Sequence, residues 1–175
     1  MKKDEYVSEI INISRVSKVT KGGRNMKFRV LLVLGDQKGK VGIGIGKTID
    51  IPRAIEQATR SAKKQMIDVS IINGTIPHQI EGKFKAATVV LKPAHPGTGV
   101  IAGMTVGMIC QLAGIKDILT KSIGPNNPIN LAQATIQGLE RLRTAAEIGN
   151  LRDKELIANV KAESKITADG EEDGT

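Results

Sequence analysis

Two adjacent glycines flanked by cations, Lys21-Gly22-Gly23-Arg24, form the stretch of this sequence most suited to chemistry. Glycine permits backbone conformations that are closed to other residues. Such a loop can therefore lay amide groups and positive charges against phosphates with little steric cost. Lys18 and Lys27 extend the same positively charged patch. We predict a phosphate-contacting loop here, and the alternative is an ordinary flexible hairpin tip.

A second glycine series, Gly42-Ile43-Gly44-Ile45-Gly46-Lys47-Thr48, is similar to a nucleotide-binding phosphate loop. That motif requires another glycine five positions before Gly46, where this chain has Val41. A phosphate loop also runs directly into a helix, whereas Asp50-Ile51-Pro52 intervenes here. The alternation of the series instead favours a strand with one face free of side chains, which another backbone can approach closely.

Residues typical of catalysis or metal binding are scarce. His78 and His95 are the only histidines, both stand next to prolines, and neither has a glutamate or cysteine at metal-ligand spacing. Cys110, the single cysteine, lies in an apolar predicted helix and is expected to be a small buried hydrophobe. The sequence has no nucleophile elbow. We therefore expect no enzyme activity, no cofactor and no metal.

Positive charge is concentrated in the first third of the chain. The formal net charge is +8 at pH 7, and residues 1–68 hold 15 lysines and arginines against 7 acidic residues. This is the electrostatic footprint of a protein that binds a phosphate backbone. Aromatic rings, on which single-stranded bases stack, are limited to one tyrosine and two phenylalanines. The composition favours structured RNA, bound through charge and backbone shape.

The first segment is predicted to form a meander of three antiparallel strands. Alternation predicts a strand from Tyr6 to Val19, and a break follows at residues 20–25. An apolar run from Phe28 to Leu34 and renewed alternation at residues 40–47 predict two further strands, joined by a tight turn at residues 35–39.

A helix is predicted to begin at Asp50-Ile51-Pro52, because proline is pre-shaped for the first helical position. Its apolar face is expected to contain Ile55, Ala58, Ala62 and Met66. Four cations fall largely outside that stripe, which fits either a binding surface or a solvated face: Arg53, Arg60, Lys63 and Lys64.

The second segment is predicted to mix short strands with two helices. Residues 68–73 form a connector or edge strand, and residues 74–80 and 86–91 form strands joined by residues 81–83. Two prolines and two glycines predict a loop at residues 93–99. A helix over about residues 100–112 ends at Gly114, a strand covers residues 115–122, and Asn126-Asn127-Pro128 begins a helix over about residues 129–146.

These elements predict an α+β protein with two small domains, residues 1–70 and 71–148, and a C-terminal extension, residues 149–175. The acidic end from Asp169 is expected to be disordered. No run approaches the roughly 18 apolar residues of a membrane span. No apolar stretch follows the N-terminal lysines, which argues against a signal peptide, and the early acids argue against a transit peptide. A single cysteine makes a reducing intracellular compartment the default.

An ordered series of motifs resembles the bacterial-type small-subunit ribosomal protein five family. It begins at Lys21-Gly22-Gly23-Arg24, Gly35-Asp36 and Gly39-Lys40-Val41-Gly42-Ile43-Gly44. It continues at Gly74-Thr75-Ile76-Pro77-His78, Lys92-Pro93-Ala94 and Pro96-Gly97-Thr98-Gly99-Val100-Ile101-Ala102-Gly103. It ends at Leu112-Ala113-Gly114-Ile115-Lys116-Asp117 and Asn127-Pro128-Ile129-Asn130. The resemblance spans roughly residues 5–145.

The resemblance implies an N-terminal β-β-β-α domain similar to double-stranded-RNA-binding folds, followed by a β-β-α-β-α domain related in fold to small-molecule kinases without their nucleotide site. Fold kinship of this kind carries no activity. It further implies a structural protein of the small ribosomal subunit that binds ribosomal RNA, contacts small-subunit proteins four and eight, lies near the mRNA entry region, and supports assembly and decoding accuracy. A cytoplasmic location in the small ribosomal subunit follows, and the N-terminus favours a bacterium over the alternative, an organelle that encodes its own copy.

Site residues follow partly from the resemblance and partly from charge. The RNA-binding candidates are Lys18, Lys21, Gly22, Gly23, Arg24, Lys27, Arg53, Lys63 and Lys64. The resemblance places a protein-partner interface, toward protein four, at Gly97, Thr98, Gly99, Gly103, Met104 and Gly107. The family commonly has another small residue where this chain has Met104 and an arginine where it has Gly107, so the details of that interface differ here.

Two other functions remain open. A free double-stranded-RNA-binding regulator would share the first domain, but it would bind generic RNA duplexes and would not co-purify with ribosomal particles. A nucleotide-dependent small-molecule kinase would share the fold of the second domain and would be stabilised by nucleotide.

Overall fold

The protein is an α+β molecule with two four-stranded sheets, and its computed structural model describes residues 6–151. The strands are β1 Val7–Thr20, β2 Gly23–Gly35, β3 Lys40–Thr48, β4 Met66–Asp68, β5 Ile80–Phe84, β6 Ala87–Pro93, β7 Val100–Ile101 and β8 Ile118–Ile123. The helices are α1 Ile51–Lys64, α2 Met104–Ala113, α3 Pro128–Glu140 and α4 Ala145–Leu151. The predicted fold class is confirmed, and β4 and β7 are additional short strands.

The first sheet contains β1 to β4 in chain order, with antiparallel neighbours. β2 pairs with β3 only from Phe28 onward, whereas its pairing with β1 continues to Thr20 opposite Gly23. Beyond β3 the sheet therefore narrows to a two-stranded ribbon. Of the predicted break at residues 20–25, only Lys21 and Gly22 lie outside the strands, because a two-residue turn containing glycine lets both strands continue to the tip.

Helix α1 packs closely on the first sheet because glycines of β3 face alanines of the helix. A Cβ atom at Gly44 would lie 1.9 Å from the carbonyl oxygen of Ala58, and one at Gly46 would lie 1.9 Å from that of Ala54. Ala54, Ala58 and Ala62 are fully buried. The predicted apolar face omitted Ala54, and the predicted member Met66 lies in β4 rather than in the helix.

Both faces of the first sheet are covered over β2. Leu32 and Leu34 pack with the α1 alanines on one face, whereas Leu31 and Val33 on the other face join the core that contains Ile109 of α2. Burial on both faces explains why β2 is an uninterrupted apolar run rather than an alternating one.

The second sheet has the order β5-β6-β8-β7, and β7 runs parallel to β8. The predicted turn at residues 81–83 is wrong: these residues lie within β5, and the chain turns after Phe84 at Lys85, where φ is 54°. A glycine occupies this strand position because α3 crosses the strand closely. A Cβ atom at Gly82 would lie 1.9 Å from the Ala134 carbonyl oxygen. Of the strand predicted at residues 74–80, only Ile80 lies in a strand.

The predicted caps are confirmed at the end of α2 and at the start of α3, whereas the predicted start of α2 is wrong. α2 begins at Met104 rather than residue 100, because Val100 and Ile101 pair with β8. Its predicted end at Gly114 is confirmed, with φ at 93°. α3 begins at Pro128, and the predicted cap is confirmed at Asn127, because the Asn127 side chain accepts a hydrogen bond from the Ile129 amide at 3.1 Å.

The last predicted helix is divided in two. α3 ends at Glu140, and α4 begins after Thr144. Thr144 and Glu147 form a capping box: the Thr144 amide donates to Glu147 Oε2 at 3.0 Å, and the Glu147 amide donates to Thr144 Oγ1 at 3.3 Å. A new helix start at this point replaces the single helix predicted over residues 129–146.

The turn between β2 and β3 caps the end of α2. The Gln37 amide donates to the Leu112 carbonyl at 3.0 Å, and the Gly39 amide donates to the Ala113 carbonyl at 2.9 Å. The last carbonyls of a helix lack partners within the helix, so this turn satisfies two of them. Asp36 holds the turn in shape, because its carboxylate accepts the amides of Lys38 and Lys40, each at 2.8 Å.

The chain up to Leu142 forms one compact unit, and α4 belongs to a second that begins at Arg143. The division into residues 1–70, 71–148 and 149–175 stays a prediction. The acidic end from Asp169 lies outside the described residues. Within residues 6–151, no helix is long and apolar enough to cross a membrane.

Candidate nucleic-acid interface

The two glycines of the predicted phosphate-contacting loop lie at the tip of the β1–β2 ribbon. A Cβ atom at Gly22 or Gly23 would meet nothing within 4 Å, and both residues are exposed. Gly23 has φ at 141°, and Thr20 Oγ1 donates to its carbonyl at 3.1 Å. Packing within the protein does not require glycine at these positions. The tip is therefore open to the close approach of another backbone.

The four cations around the tip do not share one face. Lys18 lies opposite Asn25 and Lys27 lies opposite Val16, so both side chains belong to the same face of the ribbon. Arg24 is paired with Val19 and belongs to the other face. All are exposed. The ribbon presents positive charge on both sides, rather than the single patch that the sequence suggested.

The three α1 candidates lie on the helix that covers the opposite face of the sheet from Lys18 and Lys27. Arg53 pairs with Asp50 at 3.6 Å between Nε and Oδ2, and both side chains are exposed. Lys63 Nζ lies 5.7 Å from the centre of the Tyr6 ring. Lys63 and Lys64 occupy the last turn of α1, where positive charge interacts favourably with the helix dipole. These three cations therefore interact with groups of the protein itself. The ribbon, by contrast, carries cations on both of its faces.

The glycine series of β3 is a packing surface rather than a phosphate loop. Gly42, Gly44 and Gly46 all face α1, and the Lys47 amide donates to Gln57 Oε1 at 2.8 Å. The predicted strand with a side-chain-free face is confirmed. The backbone that approaches Gly42 and Gly44 belongs to helix α1 of this chain.

The predicted partner-contacting segment lies along a surface loop, β7 and the first turn of α2. Gly97 and Gly99 have φ at 89° and 76°, and Thr98 is exposed. Gly103 is the N-cap of α2, and its carbonyl accepts the Gly107 amide at 2.8 Å. Met104, which departs from the family pattern, is 70% exposed.

Asp117 holds this loop in place. Its carboxylate is buried and accepts the Gly99 amide at 2.8 Å, while the Gly99 carbonyl accepts the Ile118 amide at 3.1 Å. Hydrogen bonds at both the amide and the carbonyl of Gly99 therefore hold the loop. Asp117 belongs to a motif of the family resemblance, but nothing in the sequence indicated this contact.

Sequence reasoning missed two pairs of surface residues. Arg29 and Lys47 lie directly opposite each other on β2 and β3, on the same face as Lys27. Ile101 and Leu119 lie side by side on β7 and β8, 54% and 38% exposed, next to the partner-contacting segment. Strand alternation from Lys27 could have indicated Arg29, but the other placements depend on strand register.

The two histidines and the cysteine lie in different structural settings. His78 and His95 both lie in irregular segments beside prolines. Across the described residues, no three histidine, cysteine or acidic side chains come together in a way that could hold a metal ion. Cys110 is fully buried in α2, and burial raises the pKa of its thiol from 9.0 to about 12.

We expect Cys110 to be unreactive in the native protein. With a pKa near 12, its thiolate fraction at pH 8 falls about a thousandfold, and burial also blocks access. A colorimetric thiol reagent should modify one thiol per chain in concentrated urea and none in buffer on the same timescale. Rapid native modification would contradict this burial. Because the unfolded thiol ionises near pH 9 and the native one does not, this group also destabilises the fold as pH rises from 9 to 12.

Family models and known proteins match this chain along most of its length. Family models described as ribosomal protein S5, N-terminal domain and C-terminal domain, match residues 6–70 and 82–152. Small ribosomal subunit protein uS5 of Thermotoga neapolitana is 53% identical over 150 residues, covering 86% of this chain and 84% of that protein. The protein of the same name from Thermotoga maritima is 49% identical over 164 residues, covering 92% of both chains.

A relative outside that genus, small ribosomal subunit protein uS5 of Syntrophobacter fumaroxidans, is 48% identical over 152 residues, covering 87% of this chain and 92% of that protein. A basic chain with two sheets that matches these family models along most of its length belongs to the class of ribosomal proteins. More narrowly, the chain belongs to the ribosomal protein S5 family.

Proposed function

We propose that the chain is a structural constituent of the small ribosomal subunit which binds ribosomal RNA through the tip of its β1–β2 ribbon. The observation that carries this proposal is the open tip: a Cβ atom at Gly22 or Gly23 would meet nothing within 4 Å, and cations lie on both sides of these glycines in the sequence. Family membership supports the ribosomal setting, since the relatives are named as small ribosomal subunit proteins.

The mechanism is binding rather than turnover. Lysine and arginine side chains neutralise phosphates and release counterions, so affinity falls steeply as salt rises. The ribbon extends beyond the third strand, which lets its tip reach into a folded RNA with positive charge on both sides. Arg53, Lys63 and Lys64 remain RNA-binding candidates through their exposure on α1.

We further propose that the loop at residues 97–99 and the first turn of α2 contact protein neighbours. Exposed apolar side chains support this surface, because Met104, Ile101 and Leu119 lie outside the core. Small-subunit proteins four and eight are the partners that the resemblance implies, and support of assembly, mRNA entry and decoding accuracy follows from such a position. The bacterial relatives support a bacterial, cytoplasmic ribosome.

Replacing Lys21 and Arg24 together with alanine should weaken RNA binding without unfolding the protein. Both side chains are exposed at the ribbon tip, so stability should stay within about 0.5 kcal/mol. Affinity for transcribed bacterial small-subunit rRNA should fall about tenfold or more, and the dependence of log K on log salt should become shallower by about 2. Filter binding across a salt series measures both.

A matched control replaces two exposed cations of the second sheet, Lys83 and Lys121, with alanine. The control variant should change the affinity less than the tip variant does. Equal losses in both variants would mean that total charge, rather than the tip, determines binding. Loss of the thermal transition in the tip variant would make the loop structural.

Sedimentation of native extract on sucrose gradients separates this function from its rivals. The protein should travel with the small subunit and resist moderate salt. If it stays at the top of the gradient in low salt and binds generic RNA duplexes, it is a free RNA-binding regulator. Thermal stabilisation by nucleotide would instead favour the small-molecule kinase.

A further inference from the structure

One face of the first sheet continues past the core as an exposed, positively charged surface. Leu31 and Val33 of β2 are buried on this face, where the core containing Ile109 of α2 covers them. Toward the ribbon tip the cover ends, and the next residues of β2 on the same face are Arg29 and Lys27. The face therefore changes from apolar to cationic where it emerges from the core.

Strand register brings four cations together on this face. Lys47 lies directly opposite Arg29, and Lys18 is a diagonal neighbour of Lys27. Opposed Cβ atoms in such pairs are about 5 Å apart and diagonal neighbours about 7–8 Å, while same-face neighbours along a strand are about 7 Å apart. We call Lys18, Lys27, Arg29 and Lys47 the basic sheet face.

Two open clefts run along the basic sheet face. One, of about 160 Å³, is lined by Lys18, Lys27 and Lys47 together with Asn25. The other, of about 350 Å³, has Arg29 and Ser14 on the sheet and Asn126 on its far wall. The clefts follow one another along the face from the ribbon toward the segment that precedes α3. They form a path rather than a single closed cavity.

The cations of this path have no acidic partners within the described part of the chain. None of the described residues that line the two clefts is acidic. The two ion pairs found within residues 6–151 join Lys40 to Asp68 and Arg53 to Asp50. Arg29 is oriented by a neutral group instead, since its Nε donates to Ser14 Oγ at 3.3 Å. Positive charge on this face is thus available to an external anion.

We propose that the basic sheet face binds the phosphodiester backbone of RNA, as a second contact surface that continues from the ribbon tip toward α3. This inference rests on the proposed RNA-binding function and deepens it. Cations spaced along a strand suit a chain of phosphates, and the neighbouring Asn and Ser groups can hydrogen-bond phosphate or sugar oxygens. The cleft residues include no aromatic ring, so binding uses the backbone rather than base stacking.

A small organic ligand suits these clefts less well. Small-molecule sites are enclosed and mostly apolar, with few polar groups. Here the walls are open, and four cations lie on one continuous face. An acidic partner protein would be recognised by the same charge, and the RNA-binding experiment distinguishes that occupant, because RNA affinity would then be unaffected.

The test replaces Arg29 and Lys47 with glutamine in the full chain and measures binding to transcribed bacterial small-subunit rRNA across a salt series. We expect affinity to fall about tenfold and the salt dependence to become shallower by about 2. The Lys83→Gln, Lys121→Gln variant has the same net charge and should bind more tightly than the sheet-face variant. The Lys21→Ala, Arg24→Ala variant is measured in parallel.

The parallel variants separate the two proposals. An unchanged sheet-face variant beside a weakened tip variant overturns this inference and leaves the proposed function standing. If neither variant weakens binding, the proposed function fails and this inference fails with it. If the sheet-face variant loses its thermal transition, Lys47→Gln alone decides, because the Lys47 side chain is exposed and its hydrogen bond uses the backbone amide. A salt dependence shallower by about 1 then supports the inference, and no change overturns it.

Discussion

Alanine at Gly44 is expected to destabilise the protein by about 3 kcal/mol or more, at the upper end of the cost of overpacking a core. The added Cβ would lie 1.9 Å from the carbonyl oxygen of Ala58 and 2.7 Å from the amide nitrogen of Ala62. Both atoms belong to the backbone of α1, so no side-chain rotation relieves the contact. The helix must move away from the sheet, which opens the core that Leu32 and Val30 share with it.

Thermal unfolding followed by circular dichroism measures this effect. For a chain of this length, a loss of about 3 kcal/mol lowers Tm by roughly 6–12 °C. Gly107→Ala is the matched control, because its Cβ would meet its nearest neighbour, Ala102 Cβ, at 3.6 Å. Alanine in a helix interior stabilises by up to about 1 kcal/mol relative to glycine. Equal melting temperatures for the Gly44 variant and the parent would show that α1 does not approach β3 as described.

Glycines that let a helix backbone approach a strand closely explain one success and one failure of sequence-based prediction. In β3, three glycines alternate with apolar residues, so the pattern itself indicated a strand with a bare face. In β5, Gly82 stands alone beside polar residues, and a lone glycine is typical of a turn. Its true role depends on Ala134, whose backbone lies against it. No local pattern connects two residues so far apart in the chain.

The candidate interface, too, was predicted only in part. The sequence identified the cations of the ribbon, because lysine and arginine next to glycine are visible in one dimension. It did not show which face each cation occupies. That depends on register, which the two-residue turn fixes by pairing Thr20 with Gly23. Lys47 joins Lys27 and Arg29 only through the pairing of β2 with β3, so the basic sheet face emerges only from the folded structure.

Local capping signals predicted two helix ends at which the chain next to the helix makes the cap, although the equally local capping box of Thr144 and Glu147 was missed. Gly114 and Asn127 act within a few residues of the helices that they bound. The end of α2 also needs the distant turn at residues 35–39, whose amides bind its last carbonyls. That contact joins the first sheet to the second half of the chain, and it leads to the second large effect.

Gly114→Ala should destabilise the protein by about 3 kcal/mol, through two costs that add. Gly114 has φ at 93°, a backbone conformation that costs an ordinary residue about 1–2 kcal/mol. Its Cβ would also lie 2.3 Å from the carbonyl oxygen of Gln37. To relieve this contact, the β2–β3 turn must leave the end of α2 and give up the hydrogen bonds from Gln37 and Gly39. Urea denaturation measures the loss as a lower midpoint.

Gly97→Ala isolates the second cost from the first. Gly97 also has a positive φ, 89°, but a Cβ there would meet nothing within 4 Å. The Gly97 variant should therefore lose only the conformational part, about 1–2 kcal/mol. The difference between the two variants measures how tightly the turn is seated on α2. If Gly114→Ala costs no more than Gly97→Ala, the turn yields freely, and the two halves of the chain are joined by their shared apolar core rather than by this cap.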